Sequence, residues 1–448
     1  MKIPQIPQTI SALADKWLPH CLEAFAREGV GPLVRGAYLH WDELRHREPP
    51  PGLEREAWWL GIKLARQGNA TPLPLLDKEG RPFVFGVPEP VQIHLHHIDQ
   101  DAAGTLRSAV EGPTPSHGEE YLLRSLIEES ITSSQLEGAS TTRRVAEAML
   151  REGRPPKDTS ERMIFNNYLA MKEIQSLRHD SLTPGRILEL QRRLTEGTLK
   201  DPADVGRWRI GDDIRVVNND DGVILHQPPP ASELTARMER LCAFANAPEA
   251  SSPFVHPVLR AILLHFMIGY DHPFADGNGR TARALFYWSM LRSRYWLTEY
   301  ISLSRVLKQA PAQYGMAYLH TETDGGDTTY FLIHQLESIR KAIDTLTAFL
   351  QRKAEDQRGL DRLLSATSEL AERFNARQRT LLAHALRHPQ EAYTISGHQR
   401  LHGVVYQTAR TDLLALAEAG LLVAGKVGRG HVFTVPPDLR ARIQGRGR

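Results

Sequence analysis

Along most of the chain apolar residues return every three or four positions, the period of a helix with one buried face. The spacing predicts helices over Ile10–Arg27, Leu53–Arg66, Tyr121–Ile131, Thr141–Arg151, Ser160–Leu177, Gly185–Thr195, Ser232–Ala245 and Pro257–Tyr270. Capping residues mark several starts: Ser232 precedes one apolar run, and Asp327 precedes the long run Thr328–Arg352. Two stretches break this period. Between Leu75 and Ile98 short apolar runs flank the turn signal Lys78-Glu79-Gly80, and Val91, Ile93 and Leu95 alternate, which predicts a small hairpin or sheet. Between Trp208 and Pro230, Ile214, Val216 and Val217 are separated from Val223, Ile224 and Leu225 by Asn218-Asn219-Asp220-Asp221-Gly222, the turn chemistry of a β-hairpin.

The tail follows a different order. From about Ala371 it reads as a helix (Ala376–Leu386), a turn near His388-Pro389, a short helix (Gly397–His402) and a longer one (Val405–Ala419). Strands Leu421–Ala424 and His431–Val435 then flank the basic, glycine-rich turn Gly425-Lys426-Val427-Gly428-Arg429-Gly430, the pattern of a winged helix-turn-helix. Upstream, the linker Glu111–Gly118 carries two prolines and two glycines and interrupts any regular element. The expected organisation is therefore an N-terminal α/β accessory region (1–110), a helical core with a projecting hairpin (119–353) and a winged helix (371–448). The fold class is mainly α.

Composition narrows the partners. The 448 residues carry a formal net charge of +2, but from Ala371 onward 12 Arg/Lys face 5 Asp/Glu, so a tail of +7 follows a body of −5. A basic tail suits nucleic acid, and DNA is one expected partner. The longest uncharged apolar stretch, Ala261–Tyr270, is half the roughly 20 residues a spanning helix needs, so no membrane is expected. The N-terminus, broken by Pro4 and Pro7, lacks the continuous apolar run of a secretory signal. Cys21 and Cys242 are too few for a disulfide framework or a multi-cysteine zinc site, so a reducing, cytoplasmic setting is expected.

The sharpest chemistry lies in Asp271-His272-Pro273-Phe274-Ala275-Asp276-Gly277-Asn278-Gly279-Arg280-Thr281-Ala282-Arg283, between one long apolar helix and the next, Thr281–Leu291. Small, turn-forming residues at a helix start leave backbone N–H groups unpaired, an anion-binding nest strengthened by the helix dipole. Arg280 and Arg283, three apart, share a helical face and can grip phosphate oxygens. Asp276 offers a hard carboxylate for Mg²⁺ on a polyphosphate. His272, ending the preceding helix, can accept the proton of an attacking hydroxyl. No Walker A sequence is present.

These residues reproduce H-x-F-x-[D/E]-G-N-G-R-x-x-R, and the chain resembles the Fic family of nucleotide transferases over roughly Tyr121–Ile339. The resemblance implies transfer of AMP from ATP to a Ser, Thr or Tyr hydroxyl of a protein, the chain itself included. It also implies His272 as general base, Asp276 holding Mg²⁺, phosphates bound by Gly277, Asn278, Gly279 and Arg280, and Arg283 on the γ-phosphate. Phe274 would anchor the loop in the core. The hairpin carrying Ile214, Val216, Val223 and Ile224 would be the flap that pairs with the target segment as an added strand.

A second match lies upstream: Ser133, Glu137 and Gly138 fit the family's inhibitory pattern [S/T]-x-x-x-E-[G/N]. The resemblance implies a Glu137–Arg283 ion pair that misaligns ATP, with release tied to oligomeric state, a homodimer among them, or to target binding. Ser134-Gln135-Leu136-Glu137 also spells an ordinary capping box. Rival readings are a DNA-binding regulator whose core senses nucleotide, transfer of another nucleotide or of phosphate, and AMP removal. His94, His96 and His97 form a weaker metal candidate, with His94 and His96 on one face of a strand, and Trp58-Trp59 reads as helix packing.

Overall fold

A computed structural model describes residues 2–25, 30–101, 115–218, 221–365, 373–427 and 430–443. These form two compact units, Met1–Thr347 and Ala348–Arg448. The first unit opens with helices α1 (Ile10–Phe25), α2 (Trp41–Leu44) and α3 (Arg55–Gln67), the antiparallel pair β1 (Thr71–Leu76) and β2 (Pro82–Phe85), and α4 (Glu89–Gln100). Trp58 and Trp59 are buried in a cluster with Leu13, Leu44, Leu60 and Ile62, the packing role expected of them.

The hairpin at Lys78-Glu79-Gly80 forms, but the alternation at Val91, Ile93 and Leu95 is not a strand. Those residues lie on α4, which buries Val91, Leu95 and Ile98 and leaves Ile93 exposed. The spacing i, i+4, i+7 carried the decisive signal, and Pro90 in the first turn suits a helix start. His94 and His96, two residues apart on a helix, do not share a face. Among the described residues no three His, Cys, Asp or Glu side chains cluster as metal ligands.

The core continues with α5 (Pro115–Leu136), α6 (Arg143–Glu152), α7 (Thr159–Leu177) and α8 (Pro184–Thr195). Next come β3 (Val216–Val217) paired with β4 (Ile224–His226), then α9 (Leu234–Asn246), α10 (Pro257–Asp271), α11 (Asn278–Arg292), α12 (Leu303–Gln309), α13 (Pro311–Thr323) and α14 (Thr329–Ser365). The expected cap at Ser232 is not made: α9 starts after a short 3-10 turn, Ala231–Glu233, without a side-chain cap. Asp327 does bond the Thr329 N–H, at 3.0 Å.

Described residues upstream of residue 101 contact this core. Val84 exchanges backbone bonds with Gly326 (3.1 Å) and Thr328 (2.8 Å), and Arg66 reaches the Tyr330 hydroxyl at 2.7 Å. Phe83 packs edge-on against Phe266 and Tyr270. Apolar faces of the described residues before and after residues 102–114 bury each other.

The second unit holds α15 (Ala376–Arg387), β5 (Ala392–Thr394), α16 (Ile395–His402), α17 (Tyr406–Glu418), β6 (Val423–Val427), β7 (Gly430–Thr434) and α18 (Leu439–Ile443). Its sheet has the order β5-β7-β6, antiparallel throughout. Leu381, Leu382, Leu413, Leu416 and Phe433 form its core. Gly428 and Arg429, expected at the tip between the last two strands, lie outside the described residues. Among the described residues no helix is long and apolar enough to cross a membrane.

Candidate active site

Helix α10 is buried on every side, so its C-terminal end is fixed by the core. His272 leaves it in a left-handed conformation, φ 45° and ψ 56°, which costs a residue bearing a Cβ roughly 1–2 kcal/mol. Strain of that size persists where the surroundings over-determine it. Here the His272 N–H bonds the Ile268 carbonyl at 3.1 Å. The ring atom Nδ1 lies 3.1 Å from the Gly269 carbonyl, which can only accept, so Nδ1 carries the proton and Nε2 is left with its lone pair. Burial pushes the His272 pKa below the ordinary histidine value, against the Gly269 bond, so the ring is neutral at neutral pH.

The turn after it is stapled from inside. Phe274 is fully buried, its ring 5.1 Å from that of Trp208. Asn278 accepts from the Phe274 N–H (3.0 Å) and donates to the Phe274 carbonyl (2.8 Å). The Asn278 side chain is thus spent on the loop, which leaves its backbone N–H at the start of α11. Gly277 adopts φ 86°, and a Cβ there would sit 2.7 Å from Thr195 Cγ2, so both conformation and space demand glycine. The first bond of the α11 ladder runs from the Thr281 N–H to the Gly277 carbonyl at 2.9 Å. The N–H groups of Asn278, Gly279 and Arg280 precede it and have no helical partner.

Arg280 is buried completely. It donates from Nη1 to the Leu194 carbonyl at 2.8 Å, and its Nε and Nη2 find no hydrogen-bond partner. Burial lowers its pKa. Asp276 lies 3.6 Å from Arg280 Nη2; its Oδ1 accepts from the Gly277 N–H, and the side chain is 54% exposed. An accessible carboxylate beside orphaned guanidinium nitrogens and unspent N–H groups fits a polyphosphate with its cation.

Arg283 is engaged. Its Nε donates to Ser133 Oγ (2.8 Å), and Nη2 donates to the Ser133 carbonyl (3.0 Å) and to Glu137 Oε1 (2.8 Å). The carboxylate also lies against the first turn of α11, since a Cβ on Gly279 would fall 2.1 Å from Glu137 Oε1. Burial pushes the Glu137 pKa up, but Arg283 and Arg280 more than reverse this and hold it below the ordinary value near 4.5. Glu137 follows the last residue of α5, and Gly138 turns the chain away at φ 92°. The capping-box reading therefore fails: Ser134-Gln135-Leu136-Glu137 ends a helix, and Ser134 Oγ bonds the Met163 carbonyl instead.

Two residues given no role from sequence hold this turn. Arg209, 5% exposed, donates through Nε to the His272 carbonyl (2.9 Å) and through Nη1 to the Gly211 carbonyl (2.7 Å), and its own N–H bonds the Pro273 carbonyl (2.9 Å). Gln191 donates to the Asp276 carbonyl (3.2 Å) and accepts from the Gly206 N–H (2.6 Å). Gln191 lies on α8 and Arg209 just after Gly206 and Trp208, and both act on the turn from a distance in sequence. The hairpin is shorter than expected, with pairs Val216–His226 and Val217–Ile224; Ile214 and Val223 lie beyond its strands. Val223 and Ile224 are exposed, Ile214 and Val216 half-buried, and Asn219 and Asp220 fall outside the described residues. Its root is tied to the same helix end: His226 bonds the Tyr270 carbonyl and Glu322, each at 2.7 Å.

Residues 181–290 match the model of the Fic/DOC family. A stretch of 129 residues is 36% identical to "Protein adenylyltransferase Fic" of Drosophila ananassae and 35% identical to that of Drosophila melanogaster, covering 28% of this chain. The chain thus spans 24% of the length of these curated relatives. Among solved structures, a Fic family protein from Desulfovibrio desulfuricans superposes with a TM-score of 0.50 at 18% identity, over 78% of this chain and 96% of that one. A buried left-handed histidine and an open helix start lie within the one segment, residues 181–290, that matches the Fic/DOC family.

Proposed function

We propose that the chain is a protein adenylyltransferase that moves AMP from ATP to a hydroxyl side chain of a protein and is held inactive by Glu137. The observation that carries this reading is the placement of a neutral His272, Nε2 unprotonated, one short turn from unspent N–H groups and a buried, partly unpaired Arg280. In the step, the target Ser, Thr or Tyr oxygen attacks the α-phosphorus, the bond to the β-phosphate oxygen breaks, pyrophosphate leaves, and the hydroxyl proton passes to His272 Nε2. The N–H groups of Asn278, Gly279 and Arg280 would cradle the phosphates with the Arg280 side chain, and the Gly277 N–H would join them once Asp276 turns to the cation. Mg²⁺, held through Asp276, would neutralise charge on the leaving pyrophosphate. Arg283 would take the γ-phosphate once freed of Glu137. Ile214, Val216, Val223 and Ile224 would align the target by strand addition, and their exposed or half-buried apolar side chains support that role. The relatives named protein adenylyltransferase support the reaction class.

The test is incubation of the chain and its Glu137→Gly and His272→Ala variants with α-labelled ATP, followed by mass spectrometry of modified hydroxyls. Label on Glu137→Gly and none on His272→Ala is expected. Absence of label on Glu137→Gly with every nucleotide tried would end the proposal.

A further inference from the structure

Helix α5 presents Ser133 to Arg283 on one face and, roughly opposite by the 3.6-residue period, lines a cleft of about 370 Å³ with Glu128, Thr132 and Gln135. Arg143 at the start of α6 and Arg305 and Lys308 on α12 complete its rim. Three cations therefore share one lining carboxylate, Glu128. Arg143 pairs with it, and Arg305 Nε comes only within 4.0 Å. Lys308 donates to the neutral amide oxygen of Gln135 and has no carboxylate partner among the described residues. The neighbouring Glu129 does not relieve this excess, because Ser302 Oγ (2.8 Å), the Ser304 N–H (3.1 Å) and Ser304 Oγ already bond it at the start of α12.

We propose that this cleft binds a small metabolite bearing a phosphate dianion, and that its occupation releases Glu137 from Arg283; the second half rests on the inhibitory reading above. Two guanidinium forks and an ammonium suit a tetrahedral dianion with three acceptor oxygens. The volume falls within the range of small-molecule sites and leaves room over Ile131 and Thr132 for the organic part of a phosphate ester.

The link to Glu137 runs through the segment between α5 and α6, which has two anchors. Gln135 accepts from Lys308 and donates through Nε2 to the Thr141 carbonyl at 3.0 Å, so it ties that segment to α12. Arg143 closes the segment and pairs with Glu128 on α5. A phosphate offers Lys308 a full opposite charge where the Gln135 amide offers only a dipole, so a bound phosphate draws Lys308 away from Gln135. Arg143, already paired with Glu128, turns its remaining N–H groups to the same phosphate. The Gln135 anchor of the segment carrying Glu137 then loosens.

Calorimetric titration of the full chain with inorganic phosphate, and separately with succinate, tests the site. Phosphate should bind at least tenfold more weakly to Arg305→Ala/Lys308→Ala, whose side chains are exposed, and within twofold of wild type to Arg283→Ala. Binding that survives the double variant but vanishes in Arg283→Ala, or succinate binding as tight as phosphate, overturns the assignment. Self-labelling by α-labelled ATP should rise at least threefold with phosphate in wild type and stay unchanged in the double variant and in Glu137→Gly. Phosphate binding with no rise, while Glu137→Gly is active, overturns the release. A Glu137→Gly variant no more active than wild type overturns the inhibitory reading instead, and calorimetry alone then decides the cleft.

Discussion

Two helix–turn–helix junctions in this chain use their turns in opposite ways. From α10 to α11 the chain passes through His272 at φ 45° and Gly277 at φ 86°, with Phe274, Arg280 and Arg283 buried beneath it. From α16 to α17 it passes through Gly403 at φ 62° and exposes Leu401 (73%), Val405 (68%) and Tyr406 (50%). Near the second turn Asp412 accepts from Asn375 Nδ2 (2.8 Å), Arg377 Nε (2.8 Å) and His398 Nε2 (3.2 Å), while His398 Nδ1 and His402 Nε2 are buried without a partner. The first turn keeps the nitrogens of a buried cation, Arg280, without partners, whereas the second pairs its cation Arg377 with Asp412, leaves only imidazole nitrogens unpaired and offers apolar surface. A turn announces its ligand when it holds polar groups that only the ligand can satisfy.

The largest effect that could break this contrast is at His272. His272→Ala, measured in the Glu137→Gly background, should lower AMP transfer by roughly 10²–10⁴-fold; retained transfer would reduce the first turn to a packing element. Next, Glu137→Gly should raise self-labelling about tenfold or more. It should also lower unfolding stability by about 1–3 kcal/mol, since Arg283 loses its charge partner but Glu137 keeps 24% exposure. Denaturant melts check this, and added ATP should restore part of the loss by occupying Arg283.

Arg209→Ala should cost about tenfold in kcat with little change in KM for ATP, because Arg209 holds the His272 carbonyl rather than phosphate. A change confined to KM would move Arg209 into the nucleotide site. Smaller effects come from titration. Glu137 has a depressed folded pKa, so its pairing with Arg283 is fully stabilising above the ordinary value near 4.5 and fades as pH falls through the folded value. The melting-temperature gap between wild type and Glu137→Gln should therefore close below about pH 4.5. His272, with its pKa lowered, should keep Glu137→Gly active below pH 6.5 before activity falls with acid. Smallest of all is the expected response of the second turn to duplex DNA. Its apolar exposure predicts a log–log salt slope shallower than about −3, and a steeper slope that Arg410→Ala reduces by about one would support a DNA role.

Legibility in the sequence followed how local each interaction is. The bounds of α7, α8, α10 and α17 fell within a residue or two of the periodic runs, because a helix with one buried face repeats its signal every turn. The period failed at Val91–Leu95, where a short run fits both templates until length decides. The backbone nest that includes Asn278 was legible from residue types at a helix start, whereas the closure of its side-chain amide on Phe274, four residues back, was not. Arg209 and Gln191 carried no signal of their own, since the carbonyls they hold are distant in sequence.

By itself the sequence determined the helical periods, the glycine positions where a Cβ cannot fit, and the set of chemical groups around His272, all properties of contiguous residues. Only the tertiary structure decided that Arg209 and Gln191 hold the turn at His272, that Arg280 is left with unpaired nitrogens, and that Val84 and Arg66 contact the core. It also places Glu137 on Arg283, 146 residues away, as the motif resemblance implied. Burial and charge pairing depend on which surfaces meet, and surfaces far apart along the chain meet only after the whole fold has formed.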